Sequence, residues 1–352
     1  MTISRIAVCQ ALAAVAVTSL LGCGVNGSDG KTGVQGLPGP SGGNGTNGTD
    51  GNNGTNGLTG TDIALPGPNY YPESITALPD GTLFVGSLGL GQIWKHVPNT
   101  QVPTKFVDGQ KQINGVLADQ AGNRLYACVT DPTVMPNKAA VKSFGLDDGL
   151  EKAKYDLPDG AKCNDMVLDG AGNLYVTDST GKIFKRTQMG TTLDLWSSGG
   201  MLNPMNVGGF GADGIVFDGG TNLFVNNFET GKILRVAING DGTVGATDEI
   251  VVTPPLTGPD GMRALNATTL VVAENIIGAP GKLSRLTIDN AAKTASKTVL
   301  ANRLDGPTSF VKVGMVYWIA EGQLEELFIP SPMAPRLNPD LPFLVRRLPA
   351  FD

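Results

Sequence analysis

The sequence predicts an all-β fold, a six-bladed β-propeller over residues 63–352 preceded by a signal peptide and a Gly-X-Y stalk. Three observations point to it. A similar unit recurs at roughly 40–50-residue spacing; short apolar runs alternate with Asp/Gly/Asn turns; and no segment sustains helical periodicity. Charged residues make up only 16% of the 352 and glycine contributes 49. Such a composition suits many short strands joined by tight turns better than long amphipathic helices.

Each unit opens on an acidic or amide residue. An apolar run follows, then a turn, a second apolar run with an aromatic, and a third run of the Gly-Lys-Ile type. Residues 164–185 show it most clearly, and comparable starts fall at Glu73, Asn114, Asn164, Asp213, Asp260 and Asp305. The turn Asp169–Asn173 supplies residues that tolerate positive φ between two β-rich runs, as a hairpin requires, and Asp119–Asn123 and Pro79–Gly81 repeat the device. Six starts predict six blades. The last blade needs an outer strand, for which the run Phe343–Phe351 and the segment Ile63–Tyr71 both qualify.

Residues 1–22 read as a lipoprotein signal peptide: Arg5, an apolar run from Ile6 to Leu21, then small residues, too short to be kept as a spanning helix. Leu20 to Cys23 resembles a bacterial lipobox, which implies cleavage before Cys23 and lipid on its thiol. Gly24 follows the cysteine where an Asp would favour the inner membrane, so the resemblance implies an exported, outer-membrane lipoprotein that touches the membrane through its anchor only. Residues 23–62 form the linker. Glycine occupies every third position from Gly24 to Gly60, meeting the steric rule of a collagen triple helix, while only Pro38 and Pro40 favour polyproline geometry. A homotrimer through this stalk and a flexible spacer both satisfy the pattern. Cys9 leaves with the signal and Cys23 is acylated, so Cys128 and Cys163 remain as a disulfide or as two buried thiols.

The net charge is −6 with no run of Lys or Arg, which argues against a nucleic-acid partner. The lone Gly-x-Ser-x-Gly, Gly39–Gly43, lies in the stalk without the strand and helix of a nucleophile elbow, and His96, the one histidine, falls in an expected outer strand. Trp94, Trp196 and Trp318 read as core. If the first strand of each blade lines the axis, then Glu73, Asn114, Asn164, Asp165, Asp213, Asp260 and Asp305 converge at one mouth of a channel. A ring of carboxylate and amide oxygens suits Ca²⁺ or another hard divalent cation, and the lack of His and Cys argues against zinc.

The order Pro72-Glu73, Asn164-Asp165, Ala212-Asp213-Gly214 and Pro259-Asp260-Gly261-Met262 resembles the gluconolactonase-like (SGL) propellers across residues 70–350. The resemblance implies a Ca²⁺-dependent hydrolase acting on a small-molecule lactone. Glu73, Asp213 and Asp260 would be its metal ligands, Asp260 its catalytic base, and Asn164 and Asn114 the contacts to substrate or to water on the metal. Two positions depart from the family: Asp213 stands where it has Asn, and Glu73-Ser-Ile replaces Glu-Gly-Pro. The alternative is a non-catalytic propeller binding a protein, a glycan or another surface ligand, with the Asp-Gly pairs serving turn geometry.

Overall fold

The computed structural model describes residues 61–328 and 339–350. The signal peptide, Cys23 and the Gly-X-Y tract up to residue 60 lie outside the described residues, as do Phe351 and Asp352. The chain is almost wholly β: beside β1 (Ile63–Ala64) and 23 further strands, the described residues hold one α-helix, α1 (Glu325–Phe328), and one 3₁₀ turn at Gly200–Leu202. None of their helices is long and apolar enough to cross a membrane.

The strands form antiparallel meanders of four. The first runs β2 (Pro72–Ala77), β3 (Leu83–Ser87), β4 (Ile93–His96) and β5 (Thr104–Val107). The second is β6 (Gln112–Asp119), β7 (Arg124–Asp131), β8 (Lys138–Gly145) and β9 (Glu151–Asp156). The third is β10 (Cys163–Leu168), β11 (Leu174–Asp178), β12 (Lys182–Arg186) and β13 (Asp194–Ser198). The fourth holds β14 (Ala212–Phe217), β15 (Asn222–Asn227), β16 (Lys232–Ile238) and β17 (Val244–Thr253), and the fifth β18 (Pro259–Asn266), β19 (Thr269–Glu274), β20 (Gly281–Asp289) and β21 (Thr294–Leu304). These two fuse into an eight-stranded sheet where Val251–Thr253 runs parallel to Thr294–Ser296 at the outer edges.

The last sheet is β22 (Pro307–Val313), β23 (Val316–Glu321), β24 (Leu344–Pro349) and, outermost, β1. Both segments expected to close the fold therefore take part. Ile63 pairs with Val345, Leu65 N–H donates to Phe343 C=O at 2.8 Å and Arg347 N–H to Asp62 Oδ1 at 2.8 Å. One sheet holds residues from both ends of the described chain, which ties them together and covers part of the β24 edge.

The first strand of each meander touches the first strand of the next, and β22 returns to β2, giving a propeller-like ring of sheets. Burial follows position: β2 and β10 are largely covered, whereas the outer strand β9 alternates exposed and half-buried residues. Between neighbouring sheets lies an apolar layer, such as Phe84 and Ile93 against Ile113 and Leu125. Cys128 on β7 and Cys163 on β10 form a disulfide between the second and third sheets, with Cα atoms 5.4 Å apart. His96 ends the third strand of its sheet, not the outer one, because Thr104–Val107 adds beyond it.

The hairpin turns follow from their sequence. Asp169 Oδ1 accepts from the N–H groups of Ala171 and Asn173, both at 2.9 Å, and Gly172 supplies the positive φ that lets the chain reverse.

Candidate functional site

Every inner strand carries a bulge in its first turn of pairing. The register with the second strand slips between Pro72 and Ser74, Ile113 and Val116, Cys163 and Met166, Ala212 and Ile215, Pro259 and Met262, and Pro307 and Ser309. A bulge leaves a residue out of the ladder and re-aims its side chain. The residues so released are Glu73, Asn114, Asn164 with Asp165, Asp213, Asp260 and Thr308. This is why they gather on the axis.

The glycines after three of them serve close approach and not turns. A Cβ on Gly115 would stand 2.2 Å from Asn164 O, one on Gly214 2.5 Å from Asp260 O, and one on Gly261 2.7 Å from Thr308 O. Each lets its inner strand press on the next. Asn226 ties the fourth and fifth sheets at the same level, accepting from Gly214 N–H at 3.1 Å and donating to Asp260 C=O at 2.5 Å. In the third sheet Thr177 takes the place of Asn226, accepting from Asp165 N–H at 3.0 Å and donating to Asp213 C=O at 2.6 Å, and Asp165 stands where Gly214 does, its side chain at the axis.

Of the residues predicted at the mouth, Glu73, Asn114, Asn164, Asp213 and Asp260 line one cavity of about 340 Å³. Asp165 lies deeper, around a void of about 10 Å³ that also touches Glu73, Asp213 and Asp260. Asp305 is not among the lining residues of either. The sixth inner strand starts at Pro307, so Thr308 holds the position that Glu73 and Asp260 hold elsewhere, while Asp305 N–H donates to Glu321 Oε1 at 3.0 Å.

The floor is acidic and largely buried. Asp165, Asp213 and Asp260 are 4–7% exposed and Glu73 is 9%. Burial pushes all four carboxyls above their ordinary range, and for Glu73 and Asp213 mutual repulsion among the acids adds to it. Asp260 is pushed up to about 7, chiefly by burial. Asn275 Nδ2 donates to Asp260 Oδ2 at 3.2 Å, and Asn164 Nδ2 donates to Asp213 Oδ2 at 3.0 Å and to Ser179 Oγ at 3.1 Å. Asp213 Oδ1 and Asn114 Oδ1 are buried with no hydrogen-bond donor. The neighbour of Asp213 is the Asp260 carboxyl, so a shared proton, a cation or a bound donor would relieve this oxygen.

Arg263 was not singled out by the sequence. Its Nη1 approaches Asp165 Oδ2 at 3.5 Å, and its Nη2 reaches Ile75 C=O at 3.1 Å and Ser309 Oγ at 3.3 Å. It closes the channel beneath the acids and offsets part of their charge.

Four acids against one guanidinium, with two acceptor oxygens unpaired, fit a hard cation in chemistry. The fit is one of donor type: among the described residues no three His, Cys, Asp or Glu side chains are drawn together closely enough to ligate one ion.

No family model matches the chain, and no curated protein matches it. Among solved structures it is similar to the PQQ-bound aldose sugar dehydrogenase of Streptomyces coelicolor, with TM-score 0.57, 14% identity, 83% of this chain and 97% of that one covered. It is also similar to a Bacteroides thetaiotaomicron protein of unknown function, with TM-score 0.57, 15% identity, 74% and 70% covered. A third is virginiamycin B lyase from Staphylococcus aureus, with TM-score 0.50, 15% identity, 75% and 96% covered. At such identity the likeness is one of fold: a propeller-type arrangement of sheets.

Proposed function

We propose that the chain is a divalent-cation-dependent hydrolase of lactone type built on a six-bladed propeller of the gluconolactonase-like kind. The observation that supports it is Asp213 Oδ1, buried without a donor beside the Asp260 carboxyl, at the floor of a ligand-sized cavity where Asn114 Oδ1 is also unpaired. Glu73, Asp213 and Asp260 would hold the cation, Ca²⁺ or a similar ion, with Asn114 Oδ1 and Asn164 facing the same space. When bound, it supplies Lewis acidity toward the lactone carbonyl oxygen.

The chain's own groups do the rest. Asp260 accepts the proton of a water whose oxygen adds to the carbonyl carbon and returns it to the ring oxygen as the acyl–oxygen bond breaks, leaving a hydroxy acid. Asn275, bonded to Oδ2, fixes the Asp260 carboxyl so that its other oxygen faces the cavity. Asn164 holds Asp213 in place, and Arg263 below opposes the burial that raises Asp165. The enzymatic character of two structural relatives, a sugar dehydrogenase and a lyase, is compatible with chemistry at a propeller mouth.

A second reading is favoured by one observation, the absence among the described residues of a gathered ligand triad. On it the cavity binds a protein or glycan without turnover. The two separate cleanly: Ca²⁺ against EDTA in thermal unfolding, followed by lactone hydrolysis in a pH-stat. A Ca²⁺-dependent rise in Tm with turnover supports the hydrolase. No metal effect and no turnover supports the binding module. The same proposal places the chain at the outer membrane, held by lipid on Cys23 and spaced by the Gly24–Gly60 tract.

A further inference from the structure

We propose, resting on the hydrolase reading above, that the site takes lactones bearing an apolar arm in preference to polyol lactones. The cavity above the acidic floor is two-sided. One arc, contributed by the first, fourth, fifth and sixth sheets, is mostly carbon: Leu88, Phe210, Phe228, Ile277 and Leu324, interrupted by Glu325 and by Asn275, which is held on Asp260. Phe210 and Phe228 meet edge to face at 6.4 Å, a rigid corner beside Asp213 and Asp260.

The opposite arc is mixed, with Gln112, Thr130, Asn137 and Lys162 beside Pro132 and Met135, and two of its polar members are already engaged. Asn137 Nδ2 donates to Ala161 C=O at 2.5 Å. Lys162 Nζ donates to Gly209 C=O at 3.1 Å and stands 4.3 Å from the centre of the Phe210 ring, which ties the segment before β14 against the cavity. Among these groups Thr130 Oγ1 is buried without a partner and free for one hydrogen bond.

A polyol lactone carries a hydroxyl on most ring carbons. Seated over the floor, it would turn several of them onto Phe210, Phe228, Ile277 and Leu324, whose side chains offer no hydrogen bond. A lactone with an alkyl arm instead lays that arm along Phe210, Phe228, Ile277 and Leu324. Each methylene removed from water there is worth about fourfold in binding when fully buried.

The test measures kcat/KM of the full chain with Ca²⁺ for an unsubstituted δ-lactone, for δ-lactones with alkyl arms of increasing length, and for a polyol δ-lactone. The expected result is a rise of about two- to fourfold per methylene over the first few carbons, with the polyol lactone lowest. Phe228→Ala should flatten that slope. Turnover of the polyol lactone equal to or above the alkyl series, or a flat series in the unaltered protein, overturns this inference and leaves the hydrolase reading standing. Failure to hydrolyse any lactone overturns both.

Discussion

Arg263 Nη1 stands 3.5 Å from Asp165 Oδ2, a cation set into a channel floor that four carboxyl groups share. The pair links the fifth sheet to the third across the axis, and the same guanidinium binds Ile75 C=O on the first and Ser309 Oγ on the sixth. Replacing it removes contacts to three sheets at once. Arg263→Met should cost about 3 kcal/mol of stability, the scale of breaking a mostly buried ion pair. Urea unfolding of the two proteins measures it; a change below about 0.5 kcal/mol would show that Arg263 holds nothing.

The pH dependence has a definite sign. The ordinary values are 3.8 for Asp and 4.5 for Glu, and the folded protein raises all four floor carboxyls, Asp260 to about 7. Between about pH 4 and 7 the native state therefore binds more protons than the unfolded chain, and these groups' contribution to stability falls as pH rises. With EDTA present, Tm should drop across that window in the unaltered protein and less in Asp260→Asn. A divalent cation competes with those protons, so the Ca²⁺-induced rise in Tm should grow from pH 5 to pH 8.

Asp213→Asn keeps an oxygen and removes a charge. It relieves crowding among the acids, so the metal-free variant should be more stable by about 1 kcal/mol at pH 8. Its Ca²⁺ affinity should fall about tenfold or more. Calorimetric Tm in EDTA and a Ca²⁺ titration check the two effects, whose opposite signs separate a cation site from a packing defect.

Gly214→Ala brings a methyl to 2.5 Å from Asp260 O. Since backbone and not a flexible side-chain tip blocks it, the fourth and fifth inner strands must part, at about 1–3 kcal/mol. The shift displaces Asp260, so any lactone turnover should fall with stability. Guanidinium unfolding and a pH-stat assay read both.

The disulfide closes a separation of 35 residues between the second and third sheets. Loop-entropy arguments put its contribution at about 4 kcal/mol at most. The double variant Cys128→Ser, Cys163→Ser should lose a substantial part of that in urea unfolding. It should keep the floor geometry, because neither cysteine lines the cavity.

The repeat was legible because each inner strand opens with a polar residue that its bulge later turns to the axis. The bulges themselves were not legible, since register depends on the partner strand. That is why Asp213-Gly214 and Asp260-Gly261 read equally as turns until the close approach of neighbouring strands was visible. Asp305 was misplaced by three positions for a related reason: the sixth inner strand carries a threonine where the others carry acids or amides. The phase lay in the recurring prolines, Pro72, Pro259 and Pro307. Arg263 gave no signal beyond one charge in an apolar strand. The apolar arc of the cavity comes from the connections after second strands, Leu88, Phe228, Ile277 and Leu324, and from Phe210 before β14, where no strand periodicity marks which residues face the axis.

The central claim is that the buried oxygens of Glu73, Asp213 and Asp260 form a cation site. Isothermal titration of the full chain with Ca²⁺ at pH 8, after EDTA treatment, tests it most directly. Saturable binding at one site per chain is expected, accompanied by proton release and weakened in Asp213→Asn. No binding heat, together with a Tm unchanged between Ca²⁺ and EDTA, would contradict it.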